Sequence, residues 1–402
     1  VNCAGGYRSS VAASLLRRAI WVAALVVAAV LGFVLVYANT VLDQLDATLT
    51  ANARDVRSLV GSGPTEEATV PADPDSGEAL TILVMGSDTR GDDNQTVGGG
   101  DIGGMRNDTT MVVHVSADRS RVEVISIPRD AQVEIPECTY LDGSTVPGGY
   151  GDFNVAFANG GANGNAAEAA ACTIKTVEEL SGVYIDHYAV VDFTGFIDMV
   201  DALGGVPMCI TERIVSEDAH LELDPGAQVL DGETALAYAR LRTAEEGDVS
   251  GSDLQRITRQ QQLLEQVYAT VRSKNLLTDV SELTRFLRAA AESLTLDPGL
   301  ADTQSLVGLA SSLRGTSVSD ITFLTVPWEY TEDLLNVQFL PESEQMWDDI
   351  RNDRPISVTV EGDASSEWDD GKSDPEPSAS SSATPSASSS QASVEDLLAE
   401  CR

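Results

Sequence analysis

Six arginines, Arg90, Arg106, Arg129, Arg240, Arg242 and Arg256, stand in five short motifs that also hold Asp88 and Asp108. The surrounding chain has 402 residues and a formal net charge of −38, and 22 of its 25 basic residues are arginine. A guanidinium keeps its charge and offers a planar fork that grips phosphate bidentately. Arginines retained among so many carboxylates therefore point to a ligand more anionic than the protein, and a diphosphate is the first candidate. Nucleic acid is disfavoured, because its binders carry a basic face that displaces counterions.

Each motif sits where an α/β sheet presents ligand groups. Thr81-Ile-Leu-Val-Met-Gly-Ser-Asp-Thr-Arg90 leaves a strand, and Arg106-Asn-Asp-Thr-Thr-Met111 enters the next; strand ends of this kind carry sites. Asp88 and Asp108 supply the oxygen ligands that Mg²⁺ prefers, few in number because the ion shares its shell with water and phosphate. Between them lies Gly98-Gly-Gly-Asp-Ile-Gly-Gly104, which no Gly-Lys-Ser/Thr follows, so it reads as a flexible loop and not as a P-loop. In Val124-Ile-Ser-Ile-Pro-Arg-Asp130, Pro128 stops a buried strand and leaves Arg129 and Asp130 just past its end. Leu230-Asp-Gly-Glu-Thr-Ala-Leu-Ala-Tyr-Ala-Arg-Leu-Arg242 reads as strand-like, with Arg240 and Arg242 at i, i+2 on one side, a repulsive arrangement unless an anion lies between them. Asp253-Leu-Gln-Arg-Ile-Thr-Arg-Gln-Gln261 opens a long helix with Asp253 as N-cap. Arg256 close to that positive helix end is unfavourable until an anion offsets it. The histidines, His114, His187 and His220, fall outside every motif, which argues against histidine catalysis.

The elements positioning these residues follow from periodicity. Strand-like runs at Leu80 to Met85, Thr110 to Val115, Val122 to Ile127, His187 to Val191 and Ile321 to Val326 alternate with helical ones at Ala166 to Ser181, Phe193 to Leu203, Leu254 to Val271 and Val280 to Leu294. That alternation indicates one α/β domain over residues 79–356.

The remaining segments locate the chain. Residues 19–38 are almost wholly apolar, about the ~20 residues of a membrane-spanning helix, with Arg8, Arg17 and Arg18 before them and Asp43 and Asp46 after. The expected topology is a single-pass cell-membrane protein: residues 1–18 cytoplasmic, 39–78 an extracellular stalk and linker, and the domain outside. Cys138, Cys172, Cys209 and Cys401 then lie in an oxidising compartment and permit two disulfides in three connectivities. Their irregular spacing disfavours structural zinc. Residues 357–393, rich in Ser, Pro and acid, are expected to be disordered, and 394–402 form a short terminal segment that a disulfide would pin.

Taken together and in this order, the motifs resemble the LytR-CpsA-Psr family of cell-wall phosphotransferases. The likeness extends to Phe153-Asn-Val-Ala-Phe157, Val191-Asp-Phe193 and Ala202-Leu-Gly-Gly-Val206 and covers about Leu80 to Tyr330. The alanine-, glycine- and acid-rich, lysine-poor composition suits the family's actinobacterial type. The resemblance implies a central mixed sheet flanked by helices, with an apolar pocket for a lipid. It implies transfer of a glycopolymer from a polyprenyl-pyrophosphate carrier to a wall acceptor, most often the C6 hydroxyl of peptidoglycan muramic acid, leaving a phosphodiester. Residue by residue, Arg129, Arg240, Arg242 and Arg256 match the pyrophosphate-binding arginines, and Asp88 and Asp108 the acids that hold Mg²⁺, or Mn²⁺ in its place. Arg90 and Arg106 accompany them, which makes Asp88, Arg90, Arg106, Arg129, Arg240 and Arg242 the catalytic set, with Asp88 as the preferred base. Phe193, Phe196, Ile197 and Val200 are offered as one lipid wall, although their spacing suits core packing equally. Gln255, where the family usually has a small residue, and the acidic connection Thr243 to Ser252 depart from the pattern around Arg256. The alternatives are a polyprenyl or nucleotide pyrophosphatase using the same arginines and metal, and a non-catalytic regulator that binds wall lipids.

Overall fold

The computed structural model describes residues 40, 43–61, 77–88, 105–247, 249, 253–273, 280–301, 303–357 and 401. Its centre is a six-stranded sheet built from β1 (Leu80–Ser87), β2 (Asn107–Val115), β3 (Val122–Ile127), β4 (His187–Asp192), β5 (Leu294–Leu296) and β6 (Ile321–Thr325), in the order β5-β4-β1-β2-β3-β6. The sheet is mixed. β1 runs antiparallel to β2 and parallel to β4, and β3 runs antiparallel to β2 and parallel to β6.

Both faces of the sheet are covered, so its strands are apolar on both sides. On one face Leu83, Met85, Val112, Ile125 and Ile127 form a core with the helices α1 (Asn154–Gly160), α2 (Ala166–Ser181) and α8 (Glu342–Arg351), whose Trp347 is fully buried. The alanine-rich α2 starts at Asn165, whose side chain accepts from the Ala167 and Glu168 amides at 2.9 and 3.4 Å, an N-cap that satisfies two orphan donors. On the other face Leu80, Ile82, Met111, Val115, Val122 and Val124 meet Ala291 of α6 (Val280–Ser293) and Leu306 and Leu309 of α7 (Thr303–Ser312). A third core lies beneath the antiparallel pair Val206–Ile210 and Gly226–Leu230, among α3 (Phe193–Ala202), α4 (Gly232–Arg240) and α5 (Asp253–Ser273).

Three features differ from the sequence reading. The run ending at Arg240 is the helix α4, not a strand. Asp231 caps it by accepting the Thr234 amide at 2.9 Å, and Ala235, Leu236 and Tyr238 are buried on it. This short helix offers too few turns for its period to stand out beside the preceding strand residues. Second, the folded unit begins ahead of residue 79. Leu45 and Leu49 of the helical stretch 43–52 join the second core, and Val56, Leu59 and Val60 join the first. The backbone there is tied in as well, with the Arg54 amide donating to Leu296 O at 2.9 Å and the Tyr188 hydroxyl to Arg54 O at 2.8 Å. Third, Asp253 is the first residue of α5 instead of the residue before it.

The cysteines pair as Cys138–Cys172 and Cys209–Cys401, and the second bond ties Cys401 to the third core's strand pair. Among the described residues no helix is long and apolar enough to cross a membrane. The expected span 19–38, the tail 357–393 beyond Ser357, and the terminal segment apart from Cys401 lie outside the described residues.

His114 on β2 sits between Thr81 Oγ1 (3.1 Å) and Asp353 Oδ1 (3.2 Å). Burial holds its imidazole below the ordinary 6.5; Asp353 opposes that shift, and Arg121 adds to it. A histidine depressed in the folded state lets the unfolded chain bind the extra proton first, so stability falls as pH drops below 6.5 and levels off beneath the folded value. Denaturation midpoints measured from about pH 7.5 to 5 should show this decline, and His114→Gln should flatten it.

Candidate functional site

The C-terminal ends of β1, β3 and β4 and the start of β2 fall at one edge of the sheet, as the strand directions require. That edge gathers the motifs. Gly86 pairs with Thr109 but Ser87 pairs with Asn107, so Asp108 is the extra residue of a β-bulge. A bulge bends its strand and re-aims a side chain, and here Asp108 is turned toward the end of β3.

Asp108 Oδ1 receives Arg129 Nη1 at 2.7 Å and Arg242 Nη2 at 3.4 Å, while Arg256 Nη2 donates to its backbone oxygen at 3.5 Å. Arg129 Nε lies 3.1 Å from Asp130 and 3.2 Å from Asp253, and Asp253 pairs with the buried Arg256 one helical turn on. Three guanidinium groups thus meet three carboxylates. Burial alone would raise the Asp108 carboxyl, but Arg256, then Arg129 and Arg242, hold it below its usual range, so it stays ionised. Asp253 moves the other way: burial pushes it up, Asp130 and Asp108 reinforce the shift, and Arg256 and Arg129 only partly offset it.

The guanidinium donors are incompletely used. Arg129 Nε, Arg256 Nε and Arg259 Nε are buried without a hydrogen-bond partner among the described residues, as is Asp253 Oδ2. Arg129 Nε is near its aspartates yet poorly aligned with them, so the contact is Coulombic only. Buried donors of this kind are costly unless something accepts from them.

The other predicted residues are placed differently. The Asp88 amide donates to Arg106 O at 3.0 Å, and Asp88 Oδ1 accepts from the Arg106 amide at 2.7 Å, which fixes the ends of β1 and β2 while the Arg106 side chain is exposed. Arg90 lies outside the described residues. Arg240 sits over the Phe193 ring, with Cζ 4.4 Å from its centroid, so the α4 terminus sends Arg240 and Arg242 in different directions. Phe193 and Val200 are buried, Phe196 packs on the third core, and Ile197 is pressed against Gly232, where an added Cβ would lie 2.4 Å from Ile197 O. Apart from Phe193, this proposed lipid wall takes the contacts of a packed helix interface.

Among the described residues no group of three or more His, Cys, Asp or Glu is placed to hold a metal. Asp88 and Asp108, on neighbouring strand ends, are a two-carboxylate set of the kind that suits Mg²⁺ completing its shell with water and phosphate. In the sequence Asp130 reads as an ion-pair partner of Arg129, whereas Asp253 reads only as a helix cap and not as a counter-charge. The i, i+3 spacing of Asp253 and Arg256 was the available signal.

The site is thus a cluster of arginines balanced by aspartates at one edge of the mixed sheet of an α/β domain. Residues 41–353 match the LytR_cpsA_psr family model, and the chain belongs to that family. It is 30% identical over 266 residues to the cell wall biosynthesis protein LcpA of Corynebacterium glutamicum, covering 62% of this chain and 50% of LcpA. It is also 30% identical over 265 residues to the polyisoprenyl-teichoic acid–peptidoglycan teichoic acid transferase TagU of Halalkalibacterium halodurans, covering 63% of this chain and 75% of TagU. The chain thus spans about half the length of LcpA. Protein gbs0355 from Streptococcus agalactiae shares the fold with a TM-score of 0.55 at 18% identity, over 75% of this chain and 99% of that one.

Removing one partner of a buried ion pair leaves an uncompensated charge, at a cost of about 3–5 kcal/mol. Asp253→Asn should therefore destabilise the domain by about that much in urea unfolding. Added pyrophosphate should raise the variant's midpoint more than the wild type's, because it replaces the missing anion.

Proposed function

We propose that this protein is a phosphotransferase that moves a glycopolymer from a polyprenyl-pyrophosphate carrier to a cell-wall acceptor, most simply the muramic acid C6 hydroxyl of peptidoglycan. The observation that carries this reading is the set of buried arginine donors at Arg129 and Arg256, left without acceptors beside an ionised Asp108. Asp108, Asp130 and Asp253 surround Arg129 with the kind of negative charge that a diphosphate would bring, which supports the reading. The name of TagU, a polyisoprenyl-teichoic acid–peptidoglycan teichoic acid transferase, favours the same chemistry, and that of LcpA favours a part in cell wall biosynthesis. The pair Cys138–Cys172 and Cys209–Cys401 suits a domain held outside the cell membrane by the apolar segment 19–38, with the amino terminus inside.

In this reading Arg129, Arg242 and Arg256 bind the non-bridging oxygens of the pyrophosphate and neutralise the charge that grows as the bridging bond breaks. The acceptor oxygen attacks the phosphorus on the sugar side. The bond from that phosphorus to the bridging oxygen breaks, and polyprenyl phosphate departs with the electron pair. The hydroxyl proton passes to a carboxylate, and Asp88 serves better than Asp108, whose arginine partners keep it a weak base. Mg²⁺ or Mn²⁺, held by Asp88 and Asp108, would supply further neutralisation of phosphate charge. Phe193 beneath Arg240 fits the first apolar unit of the carrier, where lipid meets phosphate.

The test is release of polyprenyl phosphate from a labelled polyprenyl-pyrophosphate oligosaccharide by the purified domain, with and without peptidoglycan. Wild type should move label onto the acceptor, and Arg129→Ala should lower the rate by roughly 10²–10³-fold, the effect of removing one transition-state donor. Sugar phosphate released regardless of acceptor would identify a pyrophosphatase. Arginine-dependent binding without turnover would identify a regulator.

A further inference from the structure

The α4 terminus that presents Arg240 and Arg242 is held from outside. Leu241, between them, leaves the helix with an extended ψ of 124°, so the terminal carbonyls of α4 need other partners. Two adjacent side chains of α5 provide them. Arg259 Nη2 donates to Leu241 O at 2.5 Å, and Gln260 Nε2 donates to Ala239 O at 3.2 Å. Both side chains are buried, Arg259 being 8% exposed and Gln260 6%. The carbonyls on either side of Arg240, one of which directly precedes Arg242, are thereby fixed to α5. A guanidinium at a helix C-terminus is also favoured by the macrodipole.

The same stretch of α5 delivers Arg256 to Asp108, and it is locked to the sheet in turn. Gln261 Nε2 donates to Ser126 Oγ at 2.9 Å and Leu324 O at 3.0 Å, on β3 and β6. Ser126 lies three residues before Arg129. The helix therefore references Arg242, Arg256 and the strand leading to Arg129 to one rigid body.

We propose that Arg259 is a positioning residue: it sets where Arg240 and Arg242 point by holding the Leu241 carbonyl, without itself binding the anion. The assignment rests on the pyrophosphate reading for its functional consequence, but the tether has its own readout. In the full-length chain, Arg259→Met removes the donor while leaving bulk, Arg259→Lys restores one, and hydrogen exchange reports the amides of residues 240–243. Arg259→Met should speed their exchange at least roughly tenfold with no ligand present, and Arg259→Lys should reverse most of that. Isothermal titration with inorganic pyrophosphate completes the test. Arg259→Met and Arg242→Ala should each weaken binding by roughly tenfold or more, and the double variant should be no weaker than Arg242→Ala alone, because both act on one group.

Unchanged exchange in Arg259→Met would overturn the proposal, and so would additive losses in the double variant, which would make Arg259 a direct ligand. If wild type binds no pyrophosphate, the phosphotransfer reading fails while the exchange arm still decides the tether. If Arg259→Met does not fold, Arg259→Gln, whose amide ends two bonds short of the position of Nη2 and so falls short of the Leu241 carbonyl, is read by the same two criteria.

Discussion

Like-charge repulsion among arginines is the constraint from which the rest of this structure follows. Two unit charges about 4 Å apart repel by about 4 kcal/mol at the effective dielectric of a protein surface, so Arg129, Arg242 and Arg256 cannot share one spot unaided. Each has an aspartate whose placement is a backbone event. The bulge in β2 aims Asp108, Pro128 ends β3 one residue before Arg129 and Asp130, and α5 begins at Asp253 so that Arg256 lies one turn away. Arg256, 2% exposed beside the positive end of a helix, is tolerable only with Asp253 against it.

On the proposed reading, the same balance would also give the site its selectivity. A near-neutral cluster inside a chain of −38 has little long-range pull on free anions, since the net field repels them and is screened beyond about 10 Å. To enter, an anion must exchange with carboxylates at hydrogen-bond range, which rewards groups that occupy several guanidinium forks together. A diphosphate would do so, whereas a single carboxylate would only repeat what Asp108 already provides. The exchange would also release Asp108 from Arg129 and Arg242, leaving its oxygens for a cation that arrives with the phosphates.

Much of this was legible in the sequence where chemistry is local. β3 and α2 match their expected bounds at every residue, because the apolar run Val122 to Ile127 and the alanine-rich Ala166 to Ser181 are bounded by clear signals: Pro128 for the strand, Asn165 and Gly182 for the helix. The motif arginines Arg129, Arg242 and Arg256 do converge, yet nothing in their spacing reveals that Asp108 sits at a bulge, since register depends on pairing with β1. Arg240 shows the other limit. Two arginines separated by Leu241 look alike in the sequence, but the helix end between them turns one toward Phe193 and the other toward Asp108. The stretch 43–52 read as stalk because its apolar residues are few, although Leu45 and Leu49 suffice to dock it.

The N-terminal half of α5 explains why fold and site are hard to separate in this protein. Asp253, Arg256 and Gln260 recur at helical spacing, and with Arg259 and Gln261 they spend polar groups where an ordinary amphipathic helix would bury aliphatic ones. Helices of this composition draw their stability from tertiary contacts more than from propensity. Here those contacts are the apolar ones of the buried Leu254, Ile257 and Leu263, together with the polar ones of Asp253 to Arg256 and Arg129, Arg259 to Leu241, Gln260 to Ala239, and Gln261 to Ser126 and Leu324. The polar interactions that help to dock the helix are therefore also the ones that orient the arginines. A substitution that loosened these contacts would loosen both the docking of this end of α5 and the placement of Arg242 and Arg256.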